Sequence, residues 1–473
     1  MTAQLETDLD EDHHLKYFEK RKKPYPRAVQ GTFRRIKWAM LIITLTIYYT
    51  APWLRWDRGD HLPDQAILID MGARKAYFFF IDIWPQDIYL LTGLLVFAAL
   101  ALFFVTSLIG RVWCAYACPQ TVWTDLFMLI ERRIEGDGPR RRKRDEGPLS
   151  VDKILRKIAK HSVWLLIAIS TGGAWIFYFA DAPTALPAIV MGEASSGTYV
   201  TIGMFTTTTY LLGGWAREQV CTYMCPWPRF QAAMLDEDTL TVSYEDWRGE
   251  PRTRHAKRAL AAGDPVGDCV DCNLCVEVCP TGIDIRDGIQ LECINCGLCV
   301  DACNGVMQKL DRPNYLIRHD TDRNRGLLRD GIARTWKILR PRTVIYALLL
   351  FITGCLLLAG LITRAPVALD ILADRAPLYV TLSDGAIRNG YTLKVMNKAH
   401  DAKRFSLEVS GLYNGKVSDL IEINADPDKV TTIHTHVIAA PVGPPAQQFI
   451  MRLIDLDSGK IVEEPAVFRR PAK

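Results

Sequence analysis

Apolar residues gather in five long runs along the chain, at about 38–56, 88–110, 163–180, 199–215 and 343–363. Each approaches the ~20 residues a helix needs to cross a bilayer. The run at 88–110 carries no charge, whereas the first is bounded by Trp38 and Trp53 and the fourth is interrupted by four threonines at 206–209. Threonine hydroxyls bond back to a helix backbone, so a packed span tolerates them. After 364 the pattern shortens to alternating runs at 378–382, 391–396, 405–409, 430–437, 449–454 and 461–468. Turn signals such as Ser383-Asp384-Gly385 and Asp457-Ser458-Gly459 separate them. Roughly seven short strands in about 100 residues predict an immunoglobulin-like β-sandwich.

Charge then orients the spans. Residues 1–37 start acidic (Asp8, Asp10, Glu11, Asp12), turn basic at 20–23 and hold no apolar stretch before Gly31, so no cleaved signal peptide is expected. The stretch 111–161 is rich in Arg and Lys, including 140–144, while 181–198 has neither. By the positive-inside rule, the N-terminus, the 111–161 loop and the 217–342 loop are expected in the cytoplasm. Five spans then put 364–473 across the membrane, in the periplasm of a Gram-negative cell. The cluster at 140–144 is read as a topology signal that meets lipid headgroups.

The chain has 473 residues, 49% hydrophobic and 23% charged, with a mean hydropathy of +0.04. That balance argues for a mixture of spans and water-facing domains. A net charge of +4 is too small to argue for nucleic acid.

Thirteen cysteines divide into groups of eight, four and one. The eight form CVDCNLCVEVCP at 269–280 and CINCGLCVDACN at 293–304, each C-x2-C-x2-C-x3-C. This is the spacing of bacterial two-cluster ferredoxins, in which the fourth cysteine of one run serves the other [4Fe–4S] cluster. Cluster one would take Cys269, Cys272, Cys275 and Cys303, and cluster two Cys279, Cys293, Cys296 and Cys299. Turns at Asn273 and Gly297 would let three nearby thiols face one cluster, and Asn304 stands where a proline is usual. Zinc sites favour paired C-x2-C elements instead. A disulfide framework does not suit a reducing cytosol. The expected architecture is therefore a multi-domain membrane protein. It comprises a segment 1–37, a membrane domain 38–216 and a cytoplasmic loop 217–342 with an α+β ferredoxin domain at about 255–325. A fifth transmembrane helix at 343–363 and the β-sandwich at 364–473 complete it.

Four more cysteines repeat a motif. Cys114-Ala-Tyr116-Ala-Cys118-Pro119 follows the second span and Cys221-Thr-Tyr223-Met-Cys225-Pro226 the fourth, 107 positions on. Repetition of span plus motif suggests two related hairpins. Helical spacing i, i+4 puts both sulfurs of a pair on one face. The prolines would start new helices, whose positive N-terminal ends favour thiolate at Cys118 and Cys225. Arg111 and Arg217 add charge nearby. Four convergent soft thiolates would suit Cu(I), zinc or an iron–sulfur cluster, whereas single cysteines are usually buried small side chains. Cys355, alone in mid-span, is read as the latter.

Little else carries chemistry. His434 and His436 share one strand face, which fits an exposed polar face better than a metal site. No Gly-rich dinucleotide fingerprint, Walker A motif or C-x-x-C-H haem site is visible, so electrons must come from another protein or a quinol.

These residues together resemble the CcoG (FixG, RdxA) family of cytochrome c oxidase accessory proteins. The resemblance rests on Trp113-Cys114 through Cys118-Pro119-Gln120-Thr121-Val122, Arg217-Glu218-Gln219-Val220-Cys221 through Cys225-Pro226, the double ferredoxin run, Leu316-Ile317-Arg318, and Asn389-Gly390-Tyr391 through Asn397-Lys398. It implies reduction of Cu(II) to Cu(I) at Cys114, Cys118, Cys221 and Cys225, in support of copper-site assembly in a cbb-type oxidase. Implied partners are membrane lipid, a cytoplasmic electron donor, a copper-transporting P-type ATPase and oxidase assembly factors; a homodimer is left open. Two alternatives are a quinol-linked membrane ferredoxin of NapH or NosR type that feeds a periplasmic reductase, and a non-redox assembly scaffold.

Overall fold

The computed structural model describes residues 23–473 apart from 60–61, 400, 419–421 and 472–473. The acidic residues at 8–12 and the basic ones at 20–22 lie outside the described residues. The chain forms two compact units, one of residues 1–54 and 65–354 and one of 55–64 and 355–473.

All five apolar runs become helix, and among the described residues two helices are long and apolar enough to cross a membrane, Pro85–Ile109 and Pro341–Ile362. Two of the five expected spans thus meet that criterion rather than five, and the reasons the other three do not are local. The first run lies in Thr32–Thr50, which starts early enough to include Arg34, Arg35 and Lys37. Arg34 and Lys37 are buried against Asp125, at 3.1 and 3.3 Å, so the helix keeps two of its three charges inside the protein while Arg35 is exposed. The third run is the second half of Val151–Ile176, whose first half carries Lys153, Arg156, Lys157 and Lys160. The fourth runs as α-helix over Ser196–Thr208 and then widens into a π-helix over Thr209–Ala216. The stretch 57–84 contributes a three-stranded antiparallel sheet that hydropathy did not announce.

The basic cluster also has a structural side. Arg141 is buried and pairs with Glu131, and Arg144 donates to the carbonyl of Glu135. Glu131 is further held by Arg217 at 2.7 Å and Lys160 at 3.6 Å. Arg140, Arg142 and Lys143 remain exposed, so only part of the cluster is available to headgroups.

In the second unit, strands 416–418, 429–439, 387–397 and 367–373 pair in that order, and 380–381 adds to 387–397. A second sheet runs 423–425, 403–410, 446–455, 461–469. Alternating inward residues from both, including Tyr391, Leu393, Phe405, Met451 and Phe468, close one core. Each of the six expected strands is present. The strand Val367–Ala373 was missed because it follows directly on the end of Pro341–Ile362 and its burial alternates only over its first residues. His434 is exposed, its ring 3.0 Å from the Thr392 hydroxyl, in keeping with a polar face. Cys355 is exposed on its helix, as are Leu348, Phe351 and Ile352, and so is not the buried thiol expected.

Candidate functional site

Two cysteine-lined cavities lie side by side in the ferredoxin segment. One is walled by Cys293, Cys296, Cys299 and Cys279. The other is walled by Cys269, Cys272, Cys275 and Cys303. The fourth cysteine of each run thus stands in the other run's cavity, as ferredoxin spacing requires. Cys275 touches both cavities, so the two share a wall.

Local backbone makes this possible. Asp271 and Asn295, between the first and second cysteines of the runs, have φ of 49° and 61°. Asn273 and Gly297, between the second and third, have φ of 56° and 71°. Left-handed residues fold each run tightly enough to turn three thiols one way. Behind them, Val300, Met307, Leu316 and Ile317 form the apolar backing. Burial pushes the thiols of Cys275, Cys293 and Cys303 up to about 12. A metal group that displaces those protons is therefore needed to hold them as thiolates, which suits iron–sulfur ligation.

The repeated motif takes the same form twice. Trp113–Ala117 and Val220–Met224 are both π-helical turns, closed by Cys118 N–H to Trp113 C=O at 2.9 Å and Cys225 N–H to Val220 C=O at 2.8 Å. The α-helical spacing expected for each pair is therefore replaced by a wider turn, a form that recurs at functional sites. Helix Pro119–Glu135 starts directly after Cys118 and Trp227–Met234 shortly after Cys225, as the prolines predict. All four thiols are partly buried and interact electrostatically with one another.

The expectation of thiolates at the helix starts does not hold for Cys118. Burial raises its pKa and outweighs the amide N–H groups of Thr121 and Gln120. Burial likewise pushes Cys114 up to about 11, against the opposing charge of Arg111, and Cys221 up to about 12. Arg217 does not add free charge, because it is paired with Glu131. Among the described residues, no three His, Cys, Asp or Glu side chains sit close enough to hold one metal ion. The ferredoxin cysteines share that property, since a cluster interposes its own atoms between its ligands.

The motif is fastened to the ferredoxin. Cys114 and Tyr116 pack against the apolar cluster that includes Ile294, Cys296 and Leu298. Arg111 donates to the carbonyls of Leu291 and Cys293, the latter at 2.9 Å. Cys221 and Thr281 border a common cavity. Sequence reasoning missed two supports. Gln231, fully buried, accepts from the Cys114 thiol at 3.0 Å, and Thr121 donates to the Cys114 carbonyl at 2.7 Å. The Cys-Pro-Gln-Thr run hinted at Thr121, but nothing local marked Gln231.

Paired cysteine cavities of ferredoxin form define an iron–sulfur electron-transfer protein, and comparison with known families agrees. A 4Fe–4S dicluster domain matches residues 216–322, a 4Fe–4S binding domain 91–136, and an Ig-like fold at the C-terminus of FixG 357–471. The chain belongs to the FixG/RdxA/RdxB family. It is 51% identical to nitrogen fixation protein FixG of Rhizobium meliloti, over 89% of this chain and 87% of that one. It is 44% identical to protein RdxB of Cereibacter sphaeroides, over 95% and 97%. To protein RdxA of the same organism it is 48% identical, over 82% of each. A FixG-related protein from Vibrio parahaemolyticus matches 23% of this chain over its full length, at 22% identity and a TM-score of 0.22.

Proposed function

We propose that the protein is a membrane-embedded cupric reductase, in which Cys269, Cys272, Cys275 and Cys303 hold one [4Fe–4S] cluster and Cys279, Cys293, Cys296 and Cys299 a second. Such clusters would supply one-electron carriers beside the membrane-surface thiols. The observation that carries the reading is that Cys114 and Tyr116 pack against the apolar cluster containing Cys296, with the Tyr116 hydroxyl donating to the Cys296 carbonyl at 3.0 Å. Copper is cargo here, met as Cu(II), released as Cu(I) and destined for a haem–copper oxidase of cbb type. A soft thiolate set favours the cuprous product.

Five crossings remain our reading of the topology. Support comes from apolar side chains left exposed on the three shorter or more charged helices, such as Ile42, Ile43 and Ile47, Leu165, Leu166 and Ile169, and Val200 and Met204. Lipid would cover them. The bias of positive charge assigns the cysteine-rich loop to the cytoplasm and the tail to the periplasm.

The test is Cu(I) formation, read with a chromogenic Cu(I) chelator, by anaerobic protein whose clusters have been reduced. Wild type is expected to produce Cu(I) at least tenfold faster than Cys114→Ala/Cys221→Ala. Equal rates would overturn the assignment of the thiol site.

A further inference from the structure

A third cavity beside the ferredoxin belongs to neither cysteine set. Its volume is about 320 Å³, far more than either cysteine-lined cavity offers. Its walls include Arg111, Ala232, Leu235, Gln290, Leu291 and Cys293.

Its position is set by the two membrane-length helices. The carbonyl of Leu108, at the end of Pro85–Ile109, accepts from Leu240 N–H at 3.2 Å. From the start of Pro341–Ile362, Arg342 donates to the carbonyls of Met234 and Leu235, at 3.0 and 3.4 Å. Arg340, just before that helix, donates to the Ser107 carbonyl at 2.7 Å. The cavity therefore lies where both helices meet the protein body, within reach of a molecule dissolved in lipid.

Its chemistry is equally specific. The walls are mainly apolar, yet Arg111 is only 4% exposed and its Nε makes no hydrogen bond among the described residues. A buried N–H of this kind calls for an acceptor oxygen. Gln290 spends its amide N–H on the carbonyl of Asp284, which leaves its side-chain oxygen for a ligand hydroxyl. Cys293 contributes both to this wall and to that of a cysteine-lined cavity. An occupant would therefore be separated from the second cluster site by one residue.

We propose that this cavity binds the head group of a membrane quinol and that this quinol is the electron donor. The proposal rests on the reading that the ferredoxin cysteines hold redox clusters. A planar head group would accept from Arg111 on one oxygen and donate to Gln290 from another, with its apolar tail toward the two helices. Oxidation to the quinone releases two electrons and two protons. The electrons reduce the two cluster sites by one each, and the protons pass to water at the open side of the cavity.

The test uses full-length protein in nanodiscs and two readouts. In the first, a photoreactive short-chain quinone is crosslinked and the labelled peptides are mapped. Labelling is expected within 228–242 and 289–293, to be abolished by excess decylubiquinone, and to fall at least tenfold in Ala232→Phe, which fills the cavity. Labelling that is undiminished in Ala232→Phe, or is competed as well by phospholipid as by quinone, overturns the proposal. In the second, anaerobic decylubiquinol is expected to bleach the iron–sulfur absorbance of wild type and not of Ala232→Phe, while dithionite bleaches both. Failure of decylubiquinol with success of dithionite also overturns it. Failure of both reductants overturns instead the reading of redox clusters, and the labelling still decides whether the cavity takes a quinone.

Discussion

The hydroxyl of Tyr116 donates to the main-chain carbonyl of Cys296 at 3.0 Å. Tyr116 lies between the two thiols of one membrane-surface motif, and Cys296 lines the cavity of the second cysteine set. One hydrogen bond thus joins the electron carrier to its proposed outlet. Dipoles and hydrogen bonds around cluster ligands tune reduction potential. In Tyr116→Phe the midpoint of the cluster beside Cys293 and Cys296 is expected to shift while the other stays in place. An EPR-monitored redox titration reads both. No shift, or equal shifts, would break the link.

The exchange of fourth cysteines between the runs gives a sharper expectation. Cys303 lines the cavity of Cys269, Cys272 and Cys275, although it lies in the second run. Cys303→Ser should therefore damage the cluster whose other ligands are Cys269, Cys272 and Cys275, and Cys279→Ser the cluster of Cys293, Cys296 and Cys299. Each variant should lose roughly half of its ferredoxin iron, since each removes one ligand of one four-iron cluster. EPR of the half that survives tells which cluster it is. If Cys303→Ser and Cys299→Ser leave the same spectrum, the ligands do not cross between runs.

Much of this site was legible because it is written in short spacings. Three thiols within seven residues, with Asn273 or Gly297 at the left-handed position, constrain their own geometry. The doubled Cys-Pro motif was legible for the same reason. What stayed hidden are single polar residues whose partners are far away in sequence. Asp301 meets the amide of Arg34 across 267 positions, and Arg111 meets Cys293 across 182. Hydropathy also could not show that Asp125 would draw Arg34 and Lys37 into the protein interior.

Glu131 makes stability depend on acid. Burial alone would raise its pKa, but Arg217, then Arg141 and Lys160, bring it from 4.5 down to about 2. A folded value below the unfolded one means stability that is fully present above about 4.5 and is lost as pH falls toward 2. The difference corresponds to about 3 kcal/mol. Glu131→Gln should lower the melting temperature at pH 7 and flatten its dependence between pH 4.5 and pH 2. Melting curves of wild type and variant that stay parallel across that range would refute the network's role.

Helix Thr32–Thr50 is seated on the ferredoxin through Asp301. Asp301 accepts from the amides of Arg34 at 2.8 Å and Phe33 at 3.3 Å, and so caps the helix from another part of the chain. Free N–H groups at a helix start need such a partner, and a carboxylate there also meets the positive end of the helix dipole. The approach is close. A Cβ at Gly297 would stand 2.5 Å from the Phe33 ring, and one at Gly31 would stand 2.2 Å from the Asp301 carboxyl. Asp301→Ala should therefore cost about 1–2 kcal/mol, in the range of a lost helix cap. Asp301→Asn keeps an acceptor and should cost less. Hydrogen exchange at the amides of Phe33 and Arg34 separates this from a general loss of stability. Those two amides should exchange much faster in Asp301→Ala, while amides in the β-sandwich at 364–473 keep their protection. Unchanged exchange at Phe33 and Arg34 would mean that the helix is held by its apolar contacts and not by the cap.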